Sequence, residues 1–318
     1  MISTLISTEM MIDILLIVVG VTLVLFGADK LTEGASALAR RMNVPEIIIG
    51  LTIVAAGTSA PELFVSLVSA LNDTPDMAVG NVVGSNTMNA MLIVGCAAMV
   101  APMTISRSTV KKDIPFSIAA SVLLILLALD SSLSRIDGIL LLLGFAAFMT
   151  YTLRQAKTGS DETVREQSPV WKNILFLVFG LAGLVLGSNL FVDSASNVAL
   201  SLGISEGVVG LTVVAGGTSL PELATSVVAA RKGQSAIAIG NVIGSNVFNI
   251  LMILGLTATI SPLQIEGITT IDMAVMLLSV ALVWFFSRTR YTVERWEGAV
   301  LVVGYLGYLA WLIASLGS

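Results

Sequence analysis

Carboxylates, hydroxyls and amides recur in two copies of one pattern, and they are the side chains best suited to chemistry in this sequence. The segment GTSAPEL begins at Gly57, and GTSLPEL begins at Gly217. Each copy carries a threonine, a serine and a glutamate, namely Thr58, Ser59 and Glu62 in the first and Thr218, Ser219 and Glu222 in the second. Because carboxylate and hydroxyl oxygens are ligands of hard cations such as calcium, the pattern predicts cation binding.

A second polar pattern follows each copy, with GNVVGSNTMN starting at Gly80 and GNVIGSNVFN starting at Gly240. A spacing of four residues places a serine and an asparagine on one helix face. These pairs, which we expect to form the other wall of the site, are Ser85 with Asn89 and Ser245 with Asn249. The other amides are predicted to form hydrogen bonds between helices, and they are Asn81, Asn86, Asn241 and Asn246.

Pro61 and Pro221 each precede a glutamate, and a proline interrupts a helix because it lacks an N–H and clashes with the preceding turn. We expect this break to leave backbone carbonyls without helix partners near Ala55 and Thr58. The matching positions in the second copy are Ala215 and Thr218. In a membrane such carbonyls are tolerated where they line a cavity, and they are suitable ligands for calcium.

The candidate donor atoms are all oxygen. The sequence contains no histidine, and Cys96 is its only cysteine, which excludes histidine catalysis and an internal disulfide. Zinc and copper are poor candidates without thiolate or imidazole ligands. Calcium accepts about six to eight oxygens in flexible geometry, whereas magnesium usually keeps several waters. The donor set therefore favours calcium, and sodium accepts the same ligands.

The chain around these residues has the composition of a membrane protein. Of its 318 residues, 56% are hydrophobic and 12% are charged, whereas about a quarter of the residues of a soluble domain are charged. The N-terminus lacks a basic segment before its first apolar run, so this run predicts a retained helix and not a cleaved signal. Apolar stretches of about 18 or more residues predict spanning helices at 12–39, 46–71, 77–101, 113–130, 136–153, 171–198, 206–230, 236–261, 270–288 and 296–316.

The two halves of the chain repeat each other. The 46 residues from Gly50 and the 46 residues from Gly210 align without a gap at an offset of 160, and 24 positions are identical. Polar letters match as well as apolar ones, which composition alone would not produce. The repeat predicts two units, residues 1–153 and 171–318, joined by the polar linker 154–170.

Five helices per unit would make the second unit enter the membrane with the opposite orientation. When consecutive loops are assigned to alternate sides, 14 of the 16 Lys and Arg residues fall on one side. The positive-inside rule assigns that side and the linker to the cytoplasm, and both termini to the outside. The predicted fold class is an all-α integral membrane protein of about ten transmembrane helices in two inverted five-helix repeats. This is an architecture of secondary transporters, which bind substrate near the midplane.

Glu62 and Glu222 fall deep inside the predicted helices 46–71 and 206–230. A charged side chain at that depth costs at least ~2.5 to 3.5 kcal/mol, and neither helix offers a Lys or Arg there to offset it. The structural alternative is a pair of protonated glutamates that hold helices together. Two glutamates in identical PEL contexts favour a cation site.

The paired patterns GTSAPEL with GNVVGSNTMN, and GTSLPEL with GNVIGSNVFN, are similar to the two alpha repeats of the sodium/calcium exchanger family. More widely they resemble the calcium/cation antiporter superfamily. The resemblance implies exchange of sodium for calcium at the midplane, with the first and sixth helices sliding to give alternating access. It implies that Glu62 and Glu222 are the central calcium ligands, with Asn89 and Asn249 beside them. It also implies backbone carbonyl ligands at Thr58 and Thr218, and sodium ligands at Ser59, Ser85, Ser219 and Ser245.

Alternatives to sodium-driven exchange remain. Potassium-dependent exchangers have Asp where this chain has Asn249, so the resemblance argues against potassium dependence. Proton/calcium exchangers also pair two glutamates with two asparagines, which leaves proton coupling open. A cation channel is another alternative, although pores usually need rings of ligands from several subunits. An enzyme is disfavoured, and no cofactor, nucleic acid or obligatory protein partner is predicted besides the bilayer and the transported ions.

Overall fold

The computed structural model describes residues 8–156, 169–203, 213 and 215–316, and these residues are mostly helical. The helices of the first half are α1 (Thr8–Met42), α2 (Glu46–Thr58), α3 (Ala60–Leu71), α4 (Pro75–Val100), α5 (Thr109–Asp130) and α6 (Arg135–Ala156). Those of the second half are α7 (Val170–Ser201), α8 (Ala215–Thr218), α9 (Leu220–Arg231), α10 (Ser235–Ile260), α11 (Thr270–Arg288) and α12 (Arg295–Leu316).

Eight of the described helices are long and apolar enough to cross a membrane, and the bent pair α2 and α3 makes a ninth span. The ends of these spans lie within four residues of the ends predicted from hydropathy. The remaining predicted span, 206–230, begins outside the described residues, which include only its later part, α8 and most of α9.

In each proline-containing pattern the helix is interrupted two residues before the proline, at Ser59 and at Ser219. Ser59 has φ −81° and ψ 9°, and the axes of α2 and α3 differ by 46° across it. Ser219 has nearly the same conformation, with φ −88° and ψ 6°. Both prolines lie in the first turn of the following helix, where an N–H would have no partner within that helix. The predicted break is therefore confirmed, and it leaves each glutamate in the first turn of a new helix.

Several helices contain a wider, π-helical turn that the sequence analysis did not predict. In α2, α4 and α10 these turns cover Gly50–Val54, Asn89–Ile93 and Phe248–Leu254. A π-helical turn adds a residue to the helix circumference and is frequent at functional sites. Here the turns lie in the helices that carry the polar patterns, and two of them contain Asn89 and Asn249.

Glycines allow the closest helix contacts. A Cβ at Gly27 of α1 would lie 2.7 Å from the carbonyl oxygen of Gly180 in α7, and one at Gly20 would lie 2.8 Å from that of Gly187. In α10, a Cβ at Gly244 would lie 2.8 Å from the Cα of Leu51 in α2. Small residues of this kind let helix backbones pack directly against each other in membranes.

Burial separates central helices from peripheral ones. In the most apolar window of each helix, 94% of α10 and 78% of α4 is buried, against 17% of α1 and 17% of α12. The helices with the GNVxGSN pattern are thus enclosed by protein, and the outer helices present apolar side chains to their surroundings, as lipid-facing helices do.

Two short antiparallel ladders connect loops of the two halves. Strand β1 (Met103–Thr104) pairs with β4 (Thr292–Val293), and β2 (Ser132–Leu133) pairs with β3 (Leu263–Gln264). An offset of 160 residues converts one ladder into the other. Each ladder joins loops that the alternation of predicted helices assigns to the same side of the membrane.

Candidate cation site

The two glutamates are fully buried, and each accepts a hydrogen bond from the opposite half of the chain. Ser59 donates its hydroxyl to Oε1 of Glu222 at 2.9 Å, and Ser219 donates to Oε1 of Glu62 at 3.2 Å. These reciprocal bonds bring together the two interrupted helices. The serines belong to the breaks themselves, so the proline-induced bends position both donors.

Helices α4 and α10 supply the other walls. Ser245 donates to Oε1 of Glu222 at 3.3 Å, and Ser85, at the matching position of α4, is also buried. Asn89 and Asn249 are 1% and 0% exposed. Thr58 is fully buried and donates to Oδ1 of Asn241 at 3.0 Å, whereas Thr218 is half-buried.

Two matched pairs of hydrogen bonds between the halves orient four asparagines, namely Asn86, Asn89, Asn246 and Asn249. Asn86 Nδ2 donates to the backbone oxygen of Asn246 at 3.2 Å, and Asn246 Nδ2 donates to that of Asn86 at 3.5 Å. Since each side-chain nitrogen is thereby engaged, each Oδ1 is available as an acceptor. Asn89 Nδ2 donates to Oδ1 of Asn246 at 3.1 Å, and Asn249 Nδ2 donates to Oδ1 of Asn86 at 3.0 Å. The amide nitrogens of Asn89 and Asn249 are therefore engaged as donors, and their Oδ1 atoms accept no hydrogen bond from the described residues.

Asn81 and Asn241 secure the glutamate-bearing helices. Asn81 Nδ2 donates to the backbone oxygen of Glu62 at 3.1 Å, and Asn241 Nδ2 donates to that of Glu222 at 3.3 Å. The sequence-based prediction of hydrogen bonds between helices is confirmed for all four amides concerned, which are Asn81, Asn86, Asn241 and Asn246. The sequence analysis missed what the bonds of Asn86 and Asn246 accomplish, which is to aim the amide oxygens of two other residues.

Four side-chain oxygens of the glutamates and of Asn89 and Asn249 are buried without a hydrogen-bond donor among the described residues. They are Oε2 of Glu62, Oε2 of Glu222, Oδ1 of Asn89 and Oδ1 of Asn249. A buried acceptor without a partner typically costs ~1 to 3 kcal/mol, and more when it is charged. In the part of the chain that the structure describes, ion pairs involve Lys30, Arg40 and Lys232, and none of these contacts either glutamate. Buried carboxylate and amide oxygens of this kind are chemically suited to a hard cation.

One expectation about the backbone was wrong. The carbonyl of Ala55 is not left without a partner, because it accepts the N–H of Ser59 at 3.0 Å and the hydroxyl of Thr58 at 3.3 Å. The physical reason is that a proline removes the donor to the carbonyl four residues earlier, which is that of Gly57 or Gly217. In the second half, Ser188 of α7 fills this gap and donates to the Gly217 oxygen at 2.6 Å.

The Ala55 carbonyl retains a second lone pair, so its role as a ligand stays a prediction. Ala215 begins α8, but its side chain lies outside the described residues. The residue that corresponds to Ser188 in the first half is Ala28, which has no hydroxyl to offer.

A protein-family model described as sodium/calcium exchanger protein matches residues 12–154 and again residues 172–314. This chain belongs to the sodium/calcium exchanger family. The second match begins and ends 160 residues after the first, which is the offset of the sequence repeat, of the two ladders and of the reciprocal hydrogen bonds.

Known proteins and solved structures resemble nearly the whole chain. It is 38% identical to the inner membrane protein YrbG of Escherichia coli (strain K12), covering 95% of this chain and 96% of that one. It is 32% identical to the sodium/calcium exchanger MaX1 of Methanosarcina acetivorans, covering 94% and 97%. A structure of the sodium-calcium exchanger NCX_Mj, soaked with Na⁺ and Sr²⁺, matches with a TM-score of 0.84 at 32% identity, covering 94% and 98%.

In this exchanger-family chain, the candidate site is closed to solvent. Glu62, Glu222 and Asn249 are 0% exposed, and Ser59 is 2% exposed. Loading a hydrated cation therefore requires helices to move. The described residues contain no group of three or more His, Cys, Asp or Glu side chains placed to hold a metal ion.

Proposed function

We propose that this chain is a secondary active antiporter that exchanges sodium for calcium across a cell membrane at the midplane site. The observation that carries the proposal is the group of four buried, donor-free oxygens on Glu62, Glu222, Asn89 and Asn249. Family membership supports it, as do the names of the relatives MaX1 and NCX_Mj. The remaining proposed ligands are Thr58, Thr218, Ser59, Ser219, Ser85 and Ser245, with the carbonyls of Ala55 and Ala215.

The charge of the site suits this exchange. Two ionised carboxylates are neutralised by one calcium ion or by two sodium ions, so either load leaves the buried site without net charge. Charge balance matters here because Coulomb energies grow as the dielectric falls. If a third sodium binds, the loaded site becomes positive and exchange is electrogenic. The protein itself acts as a transporter without a cofactor, and its partners are the ions and the bilayer.

We further propose ten transmembrane helices in two inverted five-helix repeats, 1–153 and 171–318, with the linker 154–170 between them. The twofold family match supports this arrangement. So do the reciprocal ladders and the reciprocal bonds of the serine–glutamate and asparagine pairs. In an inverted repeat, two equivalent pathways lead to one central site, one from each side of the membrane. Opening one pathway while the other is closed gives alternating access.

The proposed orientation places both termini outside and the linker in the cytoplasm. The uneven distribution of Lys and Arg is the basis of this assignment. The ladders agree with the grouping of loops on which the assignment depends, because β1 and β4 both belong to the basic side and β2 and β3 both belong to the other side.

Calcium flux in proteoliposomes tests the proposed function. Purified protein is reconstituted, and sodium, potassium and proton gradients are imposed one at a time while radiolabelled calcium uptake is measured. Uptake that requires an outward sodium gradient supports the proposal. Uptake that follows the proton gradient and ignores sodium would assign the chain to proton-coupled exchange, and uptake that persists without any counter-ion would indicate a channel.

A further inference from the structure

A second group of oxygen donors lies in a cavity of about 380 Å³, away from the glutamate site. The cavity is at the end of the bundle where α1 and α6 finish and where α2 and α5 begin, which we call the basic end because Arg40, Arg107 and Lys112 lie there. Its polar lining includes Glu46, Thr104, Ser106, Ser108, Thr109 and Asp113. Ile239 of α10 and Ile48 of α2 contribute to its apolar walls.

The distinctive member of this lining is Asp113. Asp113 is 2% exposed, and its Oδ1 has no hydrogen-bond donor among the described residues. Asp113 ends the π-helical first turn of α5, Thr109–Asp113, which widens the helix next to the cavity. The helix dipole favours a negative charge near a helix N-terminus, but it supplies no partner for Oδ1.

The repeated architecture does not require this carboxylate. The residue 160 positions later is Met273, which occupies the matching place in α11. The start of α11 uses a different carboxylate, that of Asp272, which caps Thr269 and accepts the hydroxyl of Tyr308. Asp113 lacks such a partner for Oδ1, and a buried acceptor without a donor is costly for stability, which points to a role that only this end of the molecule has.

The other charges near the cavity are compensated or directed elsewhere. Glu46 accepts the hydroxyl of Ser36 and lies 3.7 Å from Arg40, with which it forms an ion pair. Lys111 and Lys112 are exposed, and within the described residues no ion pair joins either of them to Asp113. Thr109 and Gln155, which are neutral, hydrogen-bond the Asp113 carboxylate, and Lys112 acts on it only through space. Among the described residues, no cation therefore lies directly against this buried negative charge.

Hydroxyl groups surround this charge with additional oxygen donors. The hydroxyls of Ser106 and Thr109 lie 3.0 Å apart, and Ser106 Oγ also accepts the N–H of Thr109 at 3.1 Å. Ser108 donates its hydroxyl to Gln155 at 3.1 Å. Ser106 and Thr104 are exposed, so an ion from water at the basic end can reach the cavity while the glutamate site is closed.

From these observations we propose that the cavity is a second cation site, which binds one sodium ion with Asp113 as its charged ligand and the hydroxyls of Ser106 and Thr109 as neutral ligands. Sodium matches the single negative charge, whereas calcium would leave the site positive. The first turn of α2 lines the cavity, and the same helix ends at Thr58. An ion bound here contacts the helix that leads to the glutamate site without entering that site.

Sodium binding to a variant with a disabled glutamate site tests this proposal. The parent is the full chain with Glu62→Gln and Glu222→Gln, purified in nanodiscs, and its binding of radioactive sodium is measured at equilibrium. We expect one saturable sodium site in this parent. Adding Asp113→Asn should weaken that binding by about tenfold or more, equivalent to about 1.4 kcal/mol for each factor of ten.

Asp130→Asn is the matched control, since Asp130 is an exposed aspartate at the opposite end of the same helix. It should leave the sodium affinity unchanged. Ser106→Ala at the exposed rim should weaken binding severalfold, and it provides a second comparison if Asp113→Asn is recovered misfolded.

A parent that binds no sodium saturably would overturn the second site, and so would unchanged affinity in Asp113→Asn or, where that variant misfolds, in Ser106→Ala. Asp113-dependent binding of calcium in place of sodium would overturn the charge assignment. Because the glutamate site is disabled in every arm, these results are independent of whether the native chain exchanges sodium for calcium.

Discussion

At the residue scale, the candidate site depends on how amide groups are aimed. Asn86 engages the side chain of Asn249 through its oxygen and the backbone of Asn246 through its nitrogen. These bonds leave Oδ1 of Asn249 buried without a donor among the described residues. Asn86 is therefore a positioning residue, although it is not itself one of the proposed ligands.

Replacing Asn86 with alanine tests this positioning role. Without its acceptor, the amide of Asn249 is free to turn, so we expect the calcium concentration for half-maximal uptake to rise by about tenfold, or about 1.4 kcal/mol. Maximal uptake should change less, because the carboxylates remain. Asn72→Ala, at the exposed end of α3, is the control. Loss of thermal stability with unchanged calcium affinity would reduce Asn86 to a structural role.

Asn249 offers a test of which ions accompany calcium. Asn249→Asp adds a third carboxylate beside Glu62 and Glu222, so the site can offset the charge of calcium together with a monovalent ion. We expect potassium to stimulate calcium uptake in this variant while calcium recognition changes less. Uptake is measured against potassium concentration at a constant sodium gradient, with Asn72→Asp as the control. A potassium dependence identical to that of the native chain would contradict the argument.

The sequence predicted the glutamates, serines and central asparagines because their types and four-residue spacing are local properties. It did not predict the bonds that orient them, since Asn86 and Asn249 belong to different halves and meet only in the fold. Ser188 shows the same limit. Nothing near it in the sequence indicates that its hydroxyl replaces the N–H that Pro221 lacks.

At the element scale, proline and glycine decide how the helices bend and approach. The break at Ser59 was predictable from Pro61, but the neighbouring π-helical turns were not, because a π-helical turn has no composition signature comparable to proline. Helix ends were predictable within a few residues since apolar length is limited by membrane thickness. Which helix contacts which was not, and the α1 and α7 pairing became visible only through the glycines that touch.

Gly27→Ala tests the close contact of α1 with α7. The added Cβ would lie 2.7 Å from the Gly180 oxygen, and because this neighbour is backbone the helices must separate. We expect the free energy of unfolding to fall by ~1 to 3 kcal/mol, as for other overpacked sites. Gly307→Ala is the control, because a Cβ at Gly307 of α12 meets no atom within 4 Å. Equal thermal stability of the two variants would refute direct backbone packing at Gly27.

At the scale of the whole molecule, one offset of 160 residues relates the family matches, the ladders and the central hydrogen bonds. The proposed inverted repeat explains this offset, since a pseudo-twofold relation lets a contact between the halves occur as a matched pair. The cavity beside Asp113 departs from that symmetry. The molecule thus combines a symmetric centre, suited to access from either side, with one end whose cavity contains Asp113, where the other half has Met273.

The proposed orientation has a direct test. A reporter fused to the C-terminus, one that is active only outside the cytoplasm, should be active, and the same reporter inserted in the 154–170 linker should be silent. The reason is the concentration of Lys and Arg on the linker side. The reverse pattern would invert the assignment of both sides.

The central claim is that the buried glutamates hold calcium while sodium drives its transport. The most direct measurement is sodium-gradient-driven calcium uptake in proteoliposomes that contain the native chain, Glu62→Gln, Glu222→Gln or the exposed control Glu266→Gln. We predict uptake by the native chain and the control, and less than about a tenth of it in either buried variant, because a neutral amide cannot replace a carboxylate as a charged ligand. Gel filtration should show all four proteins folded. Near-native uptake by either buried variant would contradict the account.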